Sequence, residues 1–147
     1  MQRRFQRRNR KKGEPVRNKM CLTAADAEII LTGCKAEAAK NKWNVSIAVV
    51  DDGGFLVHLE RLDGAVAQSA MIATCKAQTA AATRTPTKTL EEIVKERPAT
   101  VAFPGRVAVQ GGLPIMYQGE CVGAVGVSGA KSHEDEQVAS AGLKALE

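Results

Sequence analysis

Residues 45–60 read Val45-Ser46-Ile47-Ala48-Val49-Val50-Asp51-Asp52-Gly53-Gly54-Phe55-Leu56-Val57-His58-Leu59-Glu60. Val45–Val50 is a short apolar strand. Asp51-Asp52-Gly53-Gly54 is a strong turn signal, because Gly and Asp accept the positive φ that tight hairpins need. Phe55 to Glu60 returns as a second strand, with Phe55, Val57 and Leu59 on one face and Leu56, His58 and Glu60 on the other. An antiparallel hairpin follows.

A second hairpin lies near the C-terminus: Leu113 to Tyr117, a turn at Gln118-Gly119, then Glu120 to Val127. Gly123 and Gly126 in its last strand imply close backbone approach or a bend. Helical patterns surround the hairpins. Residues 23–42 are amphipathic, with Ala27, Ile30, Leu31, Cys34 and Ala38 at helical spacing. Thr23 is the expected N-cap, with Asp26 three residues on. Residues 65–83 form a helix of small residues, suited to close packing on a sheet or a partner subunit, and Pro86 ends it. Thr89-Leu90-Glu91-Glu92 reads as a capping box for a short helix that stops before Pro98. Residues 98–112 are a long connection, of a kind that often carries function. Ser132 is the expected cap of a closing helix to Leu146, with Asp135 at its third helical position. Two hairpins with helices segregated around them predict an antiparallel α+β domain, not a parallel doubly wound sheet.

A length of 147 residues suits one domain, here residues 21–147, preceded by a basic segment over 1–20. Only 3% of residues are aromatic against 44% apolar, so the core is built from Ala, Val, Ile and Leu, and a subunit interface is expected to add burial. The net charge of +5 is unevenly placed. Residues 1–20 hold nine basic side chains and one acid, leaving 12 basic and 15 acidic residues elsewhere, a net −3. The folded part is mildly acidic, which counts against a general nucleic-acid binder despite the pI of 9.2. Residues 1–20 lack apolar periodicity. Three readings of them stay open: a nucleic-acid or membrane-surface arm, an Arg-rich targeting peptide, or an upstream extension of the start. No run approaches a membrane span and no secretory signal is visible. Cys21, Cys34, Cys75 and Cys121 show no metal-ligand spacing, so reduced thiols in a cytoplasm and no metal centre are expected.

Five segments in order resemble the GlcG/HbpS family: Ala48-Val49-Val50-Asp51 with Gly53-Gly54, Arg61-Leu62-Asp63-Gly64-Ala65, Lys76-Ala77-Gln78-Thr79-Ala80, Gly111-Gly112-Leu113-Pro114-Ile115, and Gly123-Ala124-Val125-Gly126-Val127-Ser128-Gly129. The resemblance spans about residues 21–147. It implies an antiparallel sheet of about five strands flanked by helices, assembled into homo-oligomers. Relatives include a haem-binding sensor, a component of glycolate-utilisation operons and a domain fused to PduO-type cobalamin adenosyltransferases. Haem is therefore an open cofactor. Against it, the relative's early His ligand has no counterpart before His58, and the sensor's surface Glu-x-x-Glu motif is absent.

The residues that offer chemistry are few. Arg61 can bind a carboxylate bidentately with Asp63 fixing it, or pair with Asp63 to stiffen a turn. Lys76 and Thr79 share a helix side and can bind an anion, or Lys76 can snorkel or pair with an acid. Ser128-Gly129 leads into a helix start that favours anions, and Gly111, Gly112 and Pro114 can line the same site. His58 is a candidate haem ligand or acid/base group. His133 reads as a surface side chain, and Cys34 and Cys121 as buried thiols. The leading expectation is an oligomeric cytoplasmic protein binding a small anionic metabolite or a haem-type tetrapyrrole. The alternatives are a small catabolic-operon enzyme moving a proton on an organic acid through Asp63, Lys76 or His58, and nucleic-acid binding through the basic arm.

Overall fold

The computed structural model describes residues 13, 16 and 18–147, so most of the basic segment over residues 1–20, and with it the three readings of that segment, lies outside the described residues. The elements run α1 (Ala24–Asn41), β1 (Ser46–Asp51), β2 (Leu56–Arg61), α2 (Ser69–Thr83), α3 (Thr87–Glu96), β3 (Gly112–Tyr117), β4 (Glu120–Ser128) and α4 (Ser132–Leu146). A 3₁₀ turn at Pro98–Ala102 interrupts the long connection. The sheet has four antiparallel strands in the order β2-β1-β4-β3, one fewer than the family resemblance implies. Both hairpins contribute two strands, and no fifth segment among the described residues pairs with them.

Alternation along the strands divides the core in two. Ile47, Val49, Val125 and Val127 face α1 and α4, whose buried residues include Ile30, Leu31, Cys34 and Val138. Ala48, Val50 and Ala124 face the other way, onto Ala73, Ala77 and Ala80 of α2. The second layer is built from alanine on alanine, so backbones approach closely. Gly126 lies in this layer, and a Cβ there would sit 2.1 Å from the Ala73 carbonyl oxygen. The absence of a side chain at Gly126 sets how near α2 lies to the sheet.

Local chemistry explains most element ends. Thr23 caps α1 in a reciprocal box: its hydroxyl accepts from the Asp26 N–H at 3.1 Å, and Asp26 Oδ2 accepts from the Thr23 N–H at 2.9 Å. In the first hairpin, Asp51 Oδ1 accepts from the N–H groups of Gly53 and Phe55, and Gly54 takes φ +84°.

Four expectations need correction. The helix expected from residue 65 begins at Ser69, because the chain first makes tight turns closed by Ala65 N–H to Leu62 O and Ser69 N–H to Val66 O. The helix after Pro86 begins at Thr87, ahead of the expected Thr89 box. Ser132 is the first residue of α4 and not its cap; the Lys131 N–H is bonded by Glu134 Oε2, and Asp135 falls one position deeper than expected. The face assignment of β2 also changes. Val49 pairs with His58 but Val50 pairs with Leu56, so Val57 is the extra residue of a bulge. Val57 therefore packs on the α1–α4 core while Phe55 and Leu59 are exposed.

Candidate functional site

The start of β3, the end of β4 and the middle of α2 meet at a buried polar node. Lys76 Nζ donates to Asp135 Oδ2 at 2.9 Å and to the Val127 carbonyl at 2.9 Å. Asp135 Oδ1 accepts from the Ala130 N–H at 2.9 Å. Both side chains are almost fully enclosed, at 2% and 3% exposure. Burial pushes the Asp135 carboxyl above its usual range, against the opposing pull of Lys76 and the Ala130 N–H. The lysine reaches from the α2 layer to α4 beside Gly111, where a Cβ would lie 2.8 Å from its Nζ; Gly111 also takes φ +127°, a conformation that side chains resist.

The same node fastens the connection between α3 and β3. Thr79 Oγ1 accepts from the Val107 N–H at 2.9 Å and donates to the Cys75 carbonyl at 2.7 Å. Glu91 Oε2 accepts from the Gln110 N–H at 2.9 Å, and Thr87 Oγ1 accepts from the Gly112 N–H at 2.8 Å. Thr87 is buried in doing so. Three side chains thus hold three backbone donors of an otherwise irregular segment.

The fastened segment roofs a cavity of about 200 Å³ against α3. Its walls are apolar, from Leu90, Ile93, Val94, Val101 and Phe103, with Arg97 and Arg106 also among the residues that line it. Arg106 stacks over the Phe103 ring at 4.7 Å. Neither arginine is in an ion pair among the described residues. An apolar chamber with unpaired cations suits an anion that carries an apolar body.

The candidate residues from the sequence separate into three groups. Lys76, Thr79, Gly111 and Gly112 come together at the node, with Lys76 engaged by Asp135 and enclosed from solvent. Arg61 and Asp63 are exposed at the far edge. Arg61 pairs with Ser46 and Ser46 with Ser128, whereas Gly112 is on the opposite outer strand; three strand spacings, about 14 Å, separate the two edges. Pro114 sits on outer strand β3 facing the α2 layer, where a missing N–H is harmless. Ser128 is buried at the end of β4, and Gly129 follows at φ +135° with Asn44 O 2.6 Å from where its Cβ would be. His58 lies on the α1 face of β2, its ring nitrogens 3.8 Å from Glu28 and 4.0 Å from Glu60. Sequence reasoning did not mark Arg97, Arg106 or Thr87, and read Glu91 and Asp135 only as helix-start residues, not as parts of a site. The length and Pro-Gly content of the 98–112 connection were the signal that this segment mattered.

An open four-stranded antiparallel sheet with α1 and α4 on one face and α2 on the other defines the class, a small α+β domain. The chain belongs to the HbpS-like family, since the family model described as haem degrading protein HbpS-like matches residues 22–144. Protein GlcG of Escherichia coli strain K12 is 43% identical over 114 residues, 77% of this chain and 85% of that protein. A crystal structure of Streptomyces reticuli HbpS, solved as a double mutant, has a TM-score of 0.86 at 33% identity, covering 94% of this chain and 95% of the other. The PduOC:heme complex, 24% identical with a TM-score of 0.79 over 86% of this chain and 95% of the other, shares the fold. No helix among the described residues is long and apolar enough to cross a membrane.

Proposed function

We propose that this protein binds a small organic anion with an apolar body in the chamber between α3 and the 98–108 segment. The observation that carries the reading is that Arg97 and Arg106, neither in an ion pair among the described residues, line an otherwise apolar wall. A guanidinium holds a carboxylate by parallel charge-assisted hydrogen bonds, while Ile93, Val94 and Val101 strip water from the rest of the ligand. Benzoate is a suitable probe and benzyl alcohol its neutral counterpart. Titrated against the isotope-labelled protein, benzoate is expected to shift the amides of Ile93, Thr100 and Arg106 saturably. Arg106→Ala should weaken it by about tenfold or more, the value of one charged hydrogen bond. Equal binding of benzyl alcohol, or no change in the variant, defeats the reading.

Haem is the second reading, and a different groove supports it. About 330 Å³ lies between the start of α1 and the β3–β4 hairpin, walled by Leu22, Ile115, Val122 and Leu146. Cys21, Met20, Met116 and Tyr117 line it, all side chains whose donor atoms ligate haem iron. Those residues fit the group, whereas the Arg97–Arg106 chamber offers no His, Cys, Met or Tyr, and His58 lines neither. Bound there, haem would supply an iron centre for electron or oxygen chemistry. A saturable Soret shift with haemin, lost in Cys21→Ser or Tyr117→Phe but kept in His58→Ala, tests this reading. Kept binding in both of the first two variants removes it.

The same proposal includes self-association and a reducing compartment. The exposed apolar residues Leu56 and Leu59 of the outer strand β2, with Phe55 just before it and Met71 on α2, support the first. Four free cysteines, with no disulfide among them, suit the second. Light scattering at graded concentrations measures the assembly.

A further inference from the structure

Arg61, Ser46 and Ser128 form a row across three strands. The register pairs Arg61 with Ser46 and Ser46 with Ser128, so the three side chains share one face, with neighbouring Cβ atoms about 5 Å apart. That face is the one α2 covers, because Ser46 Oγ lies 2.8 Å from the Oγ of Ser69, the first residue of α2. The hydroxyl protons can be assigned in turn. Ser69 donates to the Val66 carbonyl at 2.6 Å, so Ser46 donates to Ser69. Ser128 is only 7% exposed, and its hydroxyl has no hydrogen-bond partner among the described residues. Its oxygen is nonetheless open to solvent, since the one sealed and unpartnered side-chain oxygen among those residues belongs to Glu136.

The helix end beside this row is also unsatisfied. Gln68 gives α2 no side-chain cap, and its first turn holds no acid. The Ser69 N–H bonds to Val66 O and the Ile72 N–H to Gln68 O, while the N–H groups of Ala70 and Met71 between them have no acceptor among the described residues. Arg61 is exposed and forms no ion pair there, with Asp63 or any other acid. A free guanidinium, a nearly buried free hydroxyl and two free helix amides thus gather where β1, β2 and β4 meet the start of α2.

We propose that this corner binds a phosphate group. Arg61 takes two of its oxygens by parallel hydrogen bonds, the Ser128 hydroxyl donates to it, and the first turn of α2 adds its amides and its positive end. A tetrahedral phosphate can meet donors arriving from the strand row and from the helix end together, whereas a planar carboxylate has fewer oxygens to share between them. The site lies across the sheet from the Arg97–Arg106 chamber and does not depend on it.

Inorganic phosphate and glycerol 1-phosphate, titrated into the isotope-labelled full chain at fixed ionic strength in chloride, test this. At least one of them is expected to shift the amides of Ala70, Met71 and Ser128 saturably, with acetate at least tenfold weaker. The tighter of the two shows whether the site takes a free or an esterified phosphate. Arg61→Gln and Ser128→Ala should each weaken that ligand about tenfold, as loss of a charge-assisted hydrogen bond does, and Arg106→Ala should leave it unchanged. The proposal is overturned if neither phosphate shifts those amides saturably, if acetate binds as well, or if either corner variant binds as tightly as the parent. Should Ser128→Ala not fold, Arg61→Gln decides alone, because Arg61 is exposed and its replacement leaves the core intact.

Discussion

Lys76 Nζ and Asp135 Oδ2 stand 2.9 Å apart with almost no exposure, tying α2 to α4 past the edge of β4. A buried pair of this kind contributes less to stability than its distance suggests, because both ions lost their water. Removing one partner is another matter. Lys76→Met leaves a lone carboxylate and Asp135→Asn a lone ammonium, and each is expected to cost about 3–5 kcal/mol in urea unfolding. The double variant Lys76→Met, Asp135→Leu should recover much of that loss. Additive losses in the double variant would show that the two side chains act independently.

A different constraint governs Gly126. Its φ is ordinary, so strain does not explain it; the Ala73 carbonyl and the Ala77 N–H of α2, 2.1 Å and 2.6 Å from a Cβ there, do. Gly126→Ala must push α2 off the sheet and is expected to cost about 3 kcal/mol, at the upper end for overpacking. Gly105 has nothing within 4 Å of a Cβ. Gly105→Ala should cost far less, with only its positive φ opposing it. Matched unfolding curves for the two variants would refute the close-approach account.

These two positions mark how far the sequence can be read. The apolar run Val45–Val50 with its Asp51–Gly54 turn, and the spacing of Ala27, Ile30, Leu31 and Cys34, are local patterns, and they identify the hairpin and α1 directly. Gly123 and Gly126 signal close approach because glycine in a strand has few other reasons. The Lys76–Asp135 pair joins residues 59 positions apart, and no local period reports such a pairing. The bulge at Val57 likewise depends on registration against β1. Arg97 and Arg106 have no spacing motif, and acquire a shared cavity only when Thr79, Glu91 and Thr87 fasten the chain between them and β3.

The α1 cap should impose a pH dependence with a definite sign. Hydrogen bonds from Thr23 hold the Asp26 carboxyl below its ordinary value of 3.8. A depressed carboxyl stabilises the fold above its unfolded pKa, and that contribution is lost as the pH falls through the folded value. Asp26→Asn should therefore lower Tm at neutral pH, by less than loss of the N-cap itself, which costs about 1 kcal/mol. The gap to the parent should close as the pH drops below 3.8. A gap that widens in acid contradicts the assignment.

Cysteine reactivity should divide sharply between two thiols. Desolvation pushes Cys34 up to about 12, so almost no thiolate forms there near neutrality. Cys21 is exposed. Iodoacetamide at pH 8, followed by peptide mass mapping, is expected to label Cys21 in the native protein and Cys34 only after unfolding. Native labelling of Cys34 would mean that the α1–α4 layer opens readily.

Thr79 connects the node to the proposed ligand chamber without lining it. Its hydroxyl accepts the Val107 N–H, one residue beyond Arg106. Thr79→Val keeps the shape and removes the acceptor, leaving an unpaired amide worth about 1–3 kcal/mol. The segment that roofs the chamber is then free to detach, and a ligand must order it on binding. Hydrogen exchange at Val107 should accelerate, and benzoate should bind about tenfold more weakly even though every side chain in the chamber is intact. Thr79→Ser restores the acceptor and should restore both. Faster exchange at Val107 with unchanged benzoate affinity would separate the fastening from the site, and place binding outside the chamber that the segment covers.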